Sequence, residues 1–226
     1  MKRIAPVTVA PDLADQVYQA ILDAICEGTL AAGQRITQES LAESLSVSRQ
    51  PILQAMVLLK RDGLVIDAGG RGVMVAPLTV KHSANVYQMR SVLDGLAARE
   101  AARRRANLSL DLIEAGRFAT ESGDLRSLIE ADLALHRAIY EAADNPLLVQ
   151  SAERHWSHIR RIMAAMLSHA EARESVWDEH ETMLNAIASG DMKTAQQCAI
   201  VHCELAEESL GNLLVAEQST THRRKV

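Results

Sequence analysis

Residues 36–63 read ITQESLAESLSVSRQPILQAMVLLKRDG, and the fold follows from how that stretch is punctuated. Leu41, Ala42 and Leu45 give a first short helix one apolar face. Ser46-Val47 makes the turn, and Ser48 is placed to cap the next helix. Pro51 falls in that helix's first turn, where a missing N–H is tolerated. Ile52, Ala55, Met56 and Leu59 then recur at i, i+3, i+4 and i+7, the period of a helix buried on one side. Two helices joined by so tight a turn predict a helix-turn-helix, whose second helix fits a DNA major groove.

Working outward, apolar residues at 13, 17, 20, 21, 24 and 25 trace a helical stripe that Gly28 stops. Residues 1–10 are expected to be a flexible arm, and Ala31-Ala32-Gly33 a connector. Beyond Gly63, residues 64–67 and 73–76 read as two short strands around Gly69-Gly70-Arg71-Gly72. A hairpin there adds a wing, and Arg71 at its tip either reaches a minor groove or is a solvated turn residue. Residues 1–76 are thus expected to form a winged helix-turn-helix domain.

Pro77-Leu78-Thr79 reads as a linker, after which strand signals vanish. Six helices are expected, at about 80–105, 109–120, 124–143, 146–169, 172–189 and 191–216. Ser109, Gly123-Asp124, Asn145-Pro146 and Gly190-Asp191 separate them. The predicted fold class is mainly α: the winged helix-turn-helix with its small β wing, then an all-α six-helix antiparallel bundle over 80–218. Residues 219–226 are expected to be a disordered tail.

Composition narrows the function classes. Aromatic residues are 3% of the chain and apolar residues 48%, which suits helices around a sizeable core. The net charge of −5 gives no global field for a polyanion. Residues 1–76 hold seven Lys/Arg against eight Asp/Glu, so DNA contact depends on local placement of Arg35, Arg49, Lys60, Arg61 and Arg71. Cys26, Cys198 and Cys203 lack metal-site spacing and read as reduced thiols. With no long apolar run and no signal-peptide pattern, a soluble cytoplasmic protein with no membrane partner is expected.

A second constellation lies in the helical half. Asp132 and His136 are four apart, on the helix face that carries Leu125, Leu128, Ile139 and Ala143. His180 is in line with Trp177, Leu184 and Ile187, and His202 with Ala195, Ala199 and Leu205. Four inward polar groups are costly in an apolar bundle unless something satisfies them. Three imidazoles and a carboxylate suit a divalent Zn, Ni, Fe or Mn ion, and in octahedral coordination two positions stay open for a carboxylate metabolite. An inward histidine can also be an ordinary hydrogen-bonded core residue. His155 lies on a stripe with Leu148, Ala152, Ile159 and Ile162, either lining an effector cavity or packed in the core.

With both halves laid out, the chain resembles the GntR family of bacterial transcription regulators. The likeness runs through GTLAAGQRITQESLAESLSVSRQP and the DGLV…GRGVMVAPL wing. The second half is similar to the FCD effector domain of the FadR branch, through VYQMRSVLDGLAAREAA, ADLALHRAIYEAADNPLL and DEHETMLNAIASGD. Six helices point to its VanR-like subgroup. A D-x₃-H followed by two later histidines is the metal signature of such domains, which supports Asp132, His136, His180 and His202 as ligands. The resemblance also places Arg90 near the effector cavity, to clamp a carboxylate or to pair with Asp94 four residues on.

The family's DNA-facing positions fall here on Arg35, Thr37, Ser48, Arg49, Gln50, Leu53, Gln54, Arg71 and Gly72, with Arg49 the best base or phosphate contact. The chain departs from the pattern after Ile52, where Leu53 and Gln54 follow and family members commonly carry an arginine. Val57 and Leu58 replace residues that are usually polar, and Ser46 stands where a turn glycine is frequent.

The expected function is a ligand-responsive repressor. Its partners would be a pseudo-palindromic double-stranded operator, a second copy of itself and a small carboxylate effector. Two rivals remain: a metal-dependent enzyme on a helical bundle, and a regulator relative with weakened DNA binding that acts as a protein-interaction module.

Overall fold

The computed structural model describes residues 13–69, 72–167 and 171–223. The chain divides into two compact units on either side of the Pro77–Leu78 bond. Among the described residues, no helix is long and apolar enough to cross a membrane.

In the first unit α1 (Leu13–Cys26), β1 (Arg35–Ile36), α2 (Gln38–Ser44), α3 (Arg49–Arg61), β2 (Val65–Asp67) and β3 (Val73–Val75) follow in order. One core holds Val17, Ile21 and Ile25 of α1 against Ile52, Ala55, Met56 and Leu59 of α3, with Leu64, Val65, Val73 and Val75 beneath. Each large side chain buried there contributes about 1.5–3 kcal/mol. The sheet is antiparallel in the order β1-β3-β2, with Ile66 opposite Met74 and Ile36 opposite Val73. The sequence reading missed β1, a two-residue strand too short to show alternation. Gly72 sits at φ +113°, and a Cβ there would lie 3.1 Å from the Ile36 carbonyl oxygen, so the wing needs glycine at that point.

The helix-turn-helix corner closes on backbone bonds. The Ser46 N–H donates to the Glu43 carbonyl at 3.2 Å and the Val47 N–H to the Ala42 carbonyl at 3.0 Å. That pair is a Schellman ending, and it places Ser46 at φ +53°. Thr37 caps α2 reciprocally: its hydroxyl accepts from the Ser40 N–H at 3.2 Å while its own N–H donates to the Ser40 hydroxyl at 3.4 Å. Ser48 occupies the N-cap position of α3 with extended backbone, but its side chain makes no capping bond.

The second unit contains α4 (Val80–Arg103), α5 (Asp111–Ser122), α6 (Leu125–Ala142), α7 (Pro146–Glu153), α8 (Trp156–Leu167), α9 (Glu171–Ser189) and α10 (Met192–Arg223). Thr79, read as linker, is the N-cap of α4 and accepts from the His82 N–H at 3.2 Å. Small residues bring α4 and α10 together. Ala97, Ala98, Ala101 and Ala102 pack in one core with Ala195 and Ala199, and a Cβ on Gly95 would meet the Ile200 side chain at 3.1 Å.

The expected six helices are seven among the described residues, a correction that removes the ground for a VanR-like assignment. The stretch read as one helix over 146–169 breaks at Arg154-His155, where the His155 N–H bonds back only three residues, to Ala152. No proline or glycine marks the break. Leu148, Ala152, Ile159 and Ile162 are all buried, so the apolar period runs across it. At the other end α10 continues to Arg223, five residues into the stretch expected as a tail, and residues 224–226 lie outside the described residues, as do 1–12.

Ser46 carries the left-handed conformation at a cost that glycine avoids. Ser46→Gly is expected to stabilise the first unit by about 0.5–1 kcal/mol. Equilibrium urea denaturation checks it, and an unchanged or lower midpoint would contradict the strain.

Candidate metal centre and nucleic-acid interface

Three helices of the second unit bring Asp132, His136, His180 and His202 together. One ligand atom from each lies within 4.8 Å of the others, and all four residues are buried. Asp132 and His136 come from successive turns of α6, His180 from α9 and His202 from α10. The rings crowd closely, with centroids of His180 and His202 4.6 Å apart and those of His136 and His180 5.2 Å apart.

Neighbouring carboxylates set the direction in which two imidazoles face. His202 Nδ1 lies 2.8 Å from Glu179 Oε2. Because a carboxylate only accepts, Nδ1 holds the proton and Nε2 is left with its lone pair. His136 is set the same way: Nδ1 faces Asp94 Oδ2 at 3.3 Å, while Nε2 accepts from Arg90 Nη2 at 2.6 Å. Both histidines are therefore in the tautomer that offers Nε2 to a cation, with a carboxylate behind each ring.

His180 differs. Its side chain is fully buried, and neither ring nitrogen has a hydrogen-bond partner; Asp132 Oδ2 is also unbonded. Burial, with His202, His136 and Arg90 nearby, holds the His180 pKa well below its ordinary value, so the ring stays neutral. A neutral imidazole with no hydrogen bond at either nitrogen, 3.5 Å from Asp132 through Nε2, and a buried Asp132 oxygen that also has none are groups a divalent cation would satisfy. The residues present fit a metal.

Arg90 reaches this cluster from α4. Its guanidinium lies 3.1 Å from Asp94 Oδ2 through Nε, and 3.6 Å from Asp132 Oδ2 through Nη2. Burial disfavours its charge, but Asp94 and Asp132 raise its pKa well above the ordinary value. Burial likewise opposes ionisation of Asp94. His136 and Arg90, with hydrogen bonds from His136 and Tyr140, nevertheless hold that carboxyl well below the usual range. The i,i+4 pairing of Arg90 with Asp94 is thus present, and the same arginine also touches the quartet. His155 is half-buried at the turn between α7 and α8, outside the quartet.

Asp94 and Glu179 as orienting carboxylates were not read from the sequence, nor was Gly116. A Cβ on Gly116 would come 2.1 Å from the Trp177 ring, so α5 accepts the indole only because that position has no side chain. Trp177 Nε1 donates to the Thr120 hydroxyl at 3.0 Å, and its ring stands edge-on to His180 with centroids 5.0 Å apart. Gly116 therefore helps to fix His180 through Trp177.

The first unit presents a different chemistry. Gln50, Leu53, Gln54 and Val57 of α3 are exposed on the side opposite its core residues. Arg49 pairs with Glu39 of α2, Lys60 with Asp67 of β2, and Arg61 with Asp62 at 2.8 Å. Arg35 donates to the Gly69 carbonyl at 2.9 Å and so braces the wing. The Thr37 hydroxyl is engaged as a cap and Gly72 serves backbone geometry, while Arg71 lies outside the described residues.

Comparison with known proteins follows this division. The family model for bacterial regulatory proteins, gntR family, matches residues 13–75, and the FCD domain model matches residues 85–205. A protein named "Probable D-xylose utilization operon transcriptional repressor" from Paenarthrobacter nicotinovorans is 28% identical over 204 residues, covering 89% of this chain and 88% of its own. The HTH-type transcriptional repressor RspR of Escherichia coli is 22% identical over 199 residues, covering 86% and 87%. Among solved structures, a GntR transcriptional regulator from Rhodococcus sp. RHA1 superposes with a TM-score of 0.74 at 22% identity, over 87% of this chain and 96% of that one. E. coli McbR/YncC superposes with a TM-score of 0.70 at 18% identity, over 96% and 100%. At those identities the two structures speak for the fold.

Gly116→Ala is expected to destabilise the protein by about 1–3 kcal/mol, because backbone and indole cannot both stay in place. Thermal unfolding, with Trp fluorescence reporting the displaced ring, measures it. An unchanged unfolding midpoint would show that the contact does not hold Trp177.

Proposed function

The chain belongs to the gntR family of bacterial regulatory proteins and carries an FCD domain, and on that premise we propose that it is a metal-dependent, ligand-responsive repressor. The matched domains and the relatives are transcriptional regulators rather than enzymes. The observation that carries the metal reading is His180: buried, neutral and unbonded at both nitrogens, beside an unbonded Asp132 oxygen.

In this reading Asp132, His136, His180 and His202 hold a divalent ion. When bound, it supplies a fixed positive charge with room for an exchangeable ligand. Asp94 and Glu179 keep the tautomers of His136 and His202, and Arg90 stands at the same cluster to receive the carboxylate of a small organic acid. The winged helix of a homodimer reads two half-sites of an operator in the cytoplasm, Arg49 supplying a phosphate contact once it leaves its exposed pairing with Glu39. An acid that binds one state of the dimer better shifts the population between DNA-bound and released forms, and the coupling is reciprocal.

Protein purified without a histidine tag is expected to carry about one divalent ion per chain by elemental analysis. The His180→Ala/His202→Ala double variant is expected to carry none, and equal content in the two would remove the metal from the reading. Glu179→Gln is expected to weaken metal affinity about 10–100-fold in a competition titration with a chelator. For the switch, small carboxylates that raise the melting temperature only in the metal-loaded protein are expected to change its affinity for operator DNA. If every such acid leaves that affinity unaltered, the protein is not ligand-responsive through this site.

A further inference from the structure

The exposed face of α3 carries no cation between its two ends. Ile52, Ala55, Met56 and Leu59 are buried, and the opposite side carries Gln50, Leu53, Gln54 and Val57. Leu53 is 43% exposed and Val57 66%, one helical turn apart, so both point away from the core from adjacent turns. The helix's cations stand at its two ends, and each faces a carboxylate: Arg49 with Glu39, Lys60 with Asp67, Arg61 with Asp62. Among the described residues, the middle of the helix offers only two glutamine amides and two aliphatic side chains.

We propose that Leu53 and Val57 read the C5-methyl groups of thymines in the major groove, with Gln54 contacting a paired adenine, so that the operator is specified by T·A pairs rather than by guanines. This rests on the reading of the chain as a DNA-binding regulator. The physical case has three parts. A thymine methyl is the one apolar group on a base edge in that groove, and an aliphatic side chain gains by burying it. Glutamine matches adenine N6 and N7 in the same groove, so both kinds of side chain favour the same base pair. The apolar surface is also too small to suit a protein partner: two side chains, flanked by Gln50 and Gln54 and bracketed by Arg49, Lys60 and Arg61. Basic ends around an apolar middle match a groove with phosphates on its rims and methyls on its floor. Exposed ion pairs are weak, so the end cations can pass from carboxylate to phosphate.

The test uses deoxyuridine, which differs from thymidine only by the missing methyl. Full-length protein first selects a site from a randomised duplex library. The selected duplex is then resynthesised with each thymine in turn replaced by deoxyuridine, and affinity is measured at one fixed salt concentration. Wild type is expected to lose roughly three- to fivefold for each methyl that Leu53 or Val57 covers. Leu53→Ala and Val57→Ala are expected to bind more weakly overall and to lose that sensitivity, each at its own position. A selected site that wild type binds equally well with every thymine replaced overturns the proposal while leaving DNA regulation intact. Sensitivity that persists undiminished in both variants overturns it too. If no duplex is selected at all, the regulator reading falls and this proposal with it, in favour of an apolar face for a protein partner.

Discussion

The interaction on which the second unit depends is one that protein atoms leave incomplete. His180 is wholly enclosed, and neither ring nitrogen makes a hydrogen bond, although Asp132 Oδ1 stands 3.5 Å from Nε2. An unbonded buried polar group costs roughly 1–3 kcal/mol, and a fold that keeps two on one ring, with an unbonded carboxylate oxygen alongside, is arranged for something to enter. Aliphatic replacement would have been the cheaper core. The three helices that meet at Asp132, His136, His180 and His202 thus carry, inside their core, a cluster that could hold a metal ion.

What surrounds the cluster supports that view. Glu179 and Asp94 lie behind His202 and His136 and leave Nε2 as the acceptor nitrogen of each ring, that of His136 being taken up by Arg90. Trp177 is held by Thr120 and by the absence of a side chain on Gly116, and it limits how His180 can tilt. These contacts come from α4, α5, α9 and α10, so the geometry of four ligand atoms is fixed by elements far apart in sequence. Such support costs affinity when lost, because a ligand that can rotate must be ordered again on binding.

Much of this was legible in the chain, for identifiable reasons. The helix-turn-helix showed itself because Leu41, Ile52, Met56 and Leu59 repeat at helical spacing and the Ser46 turn interrupts them once. The quartet was legible because Asp132 and His136 share a face and His180 and His202 fall on apolar stripes. Glu179 was hidden by its position: adjacent helical residues point about 100° apart, so it cannot follow His180 inward and instead meets His202 across α9 and α10. The turn at Arg154-His155 was hidden because burial continues on both sides of it. β1 was hidden by its length. In each case the missing information is tertiary, a matter of which neighbour receives a side chain rather than of the period along one helix.

The buried charges also bear on the cation proposed for this site. Arg90, Asp94 and Asp132 are the fully buried charged groups beside three histidines, with the half-buried Glu179 against His202, and at formal charges these four leave two negative charges in excess. A divalent ion would cancel that excess, in a space where an uncompensated charge is expensive. It also places a second cation near Arg90, whose guanidinium lies 2.6 Å from a nitrogen the ion would use. In the proposed reading, the ion and Arg90 are the two cations that a carboxylate effector would meet, and the buried carboxylates Asp94 and Asp132 are what would hold those cations side by side.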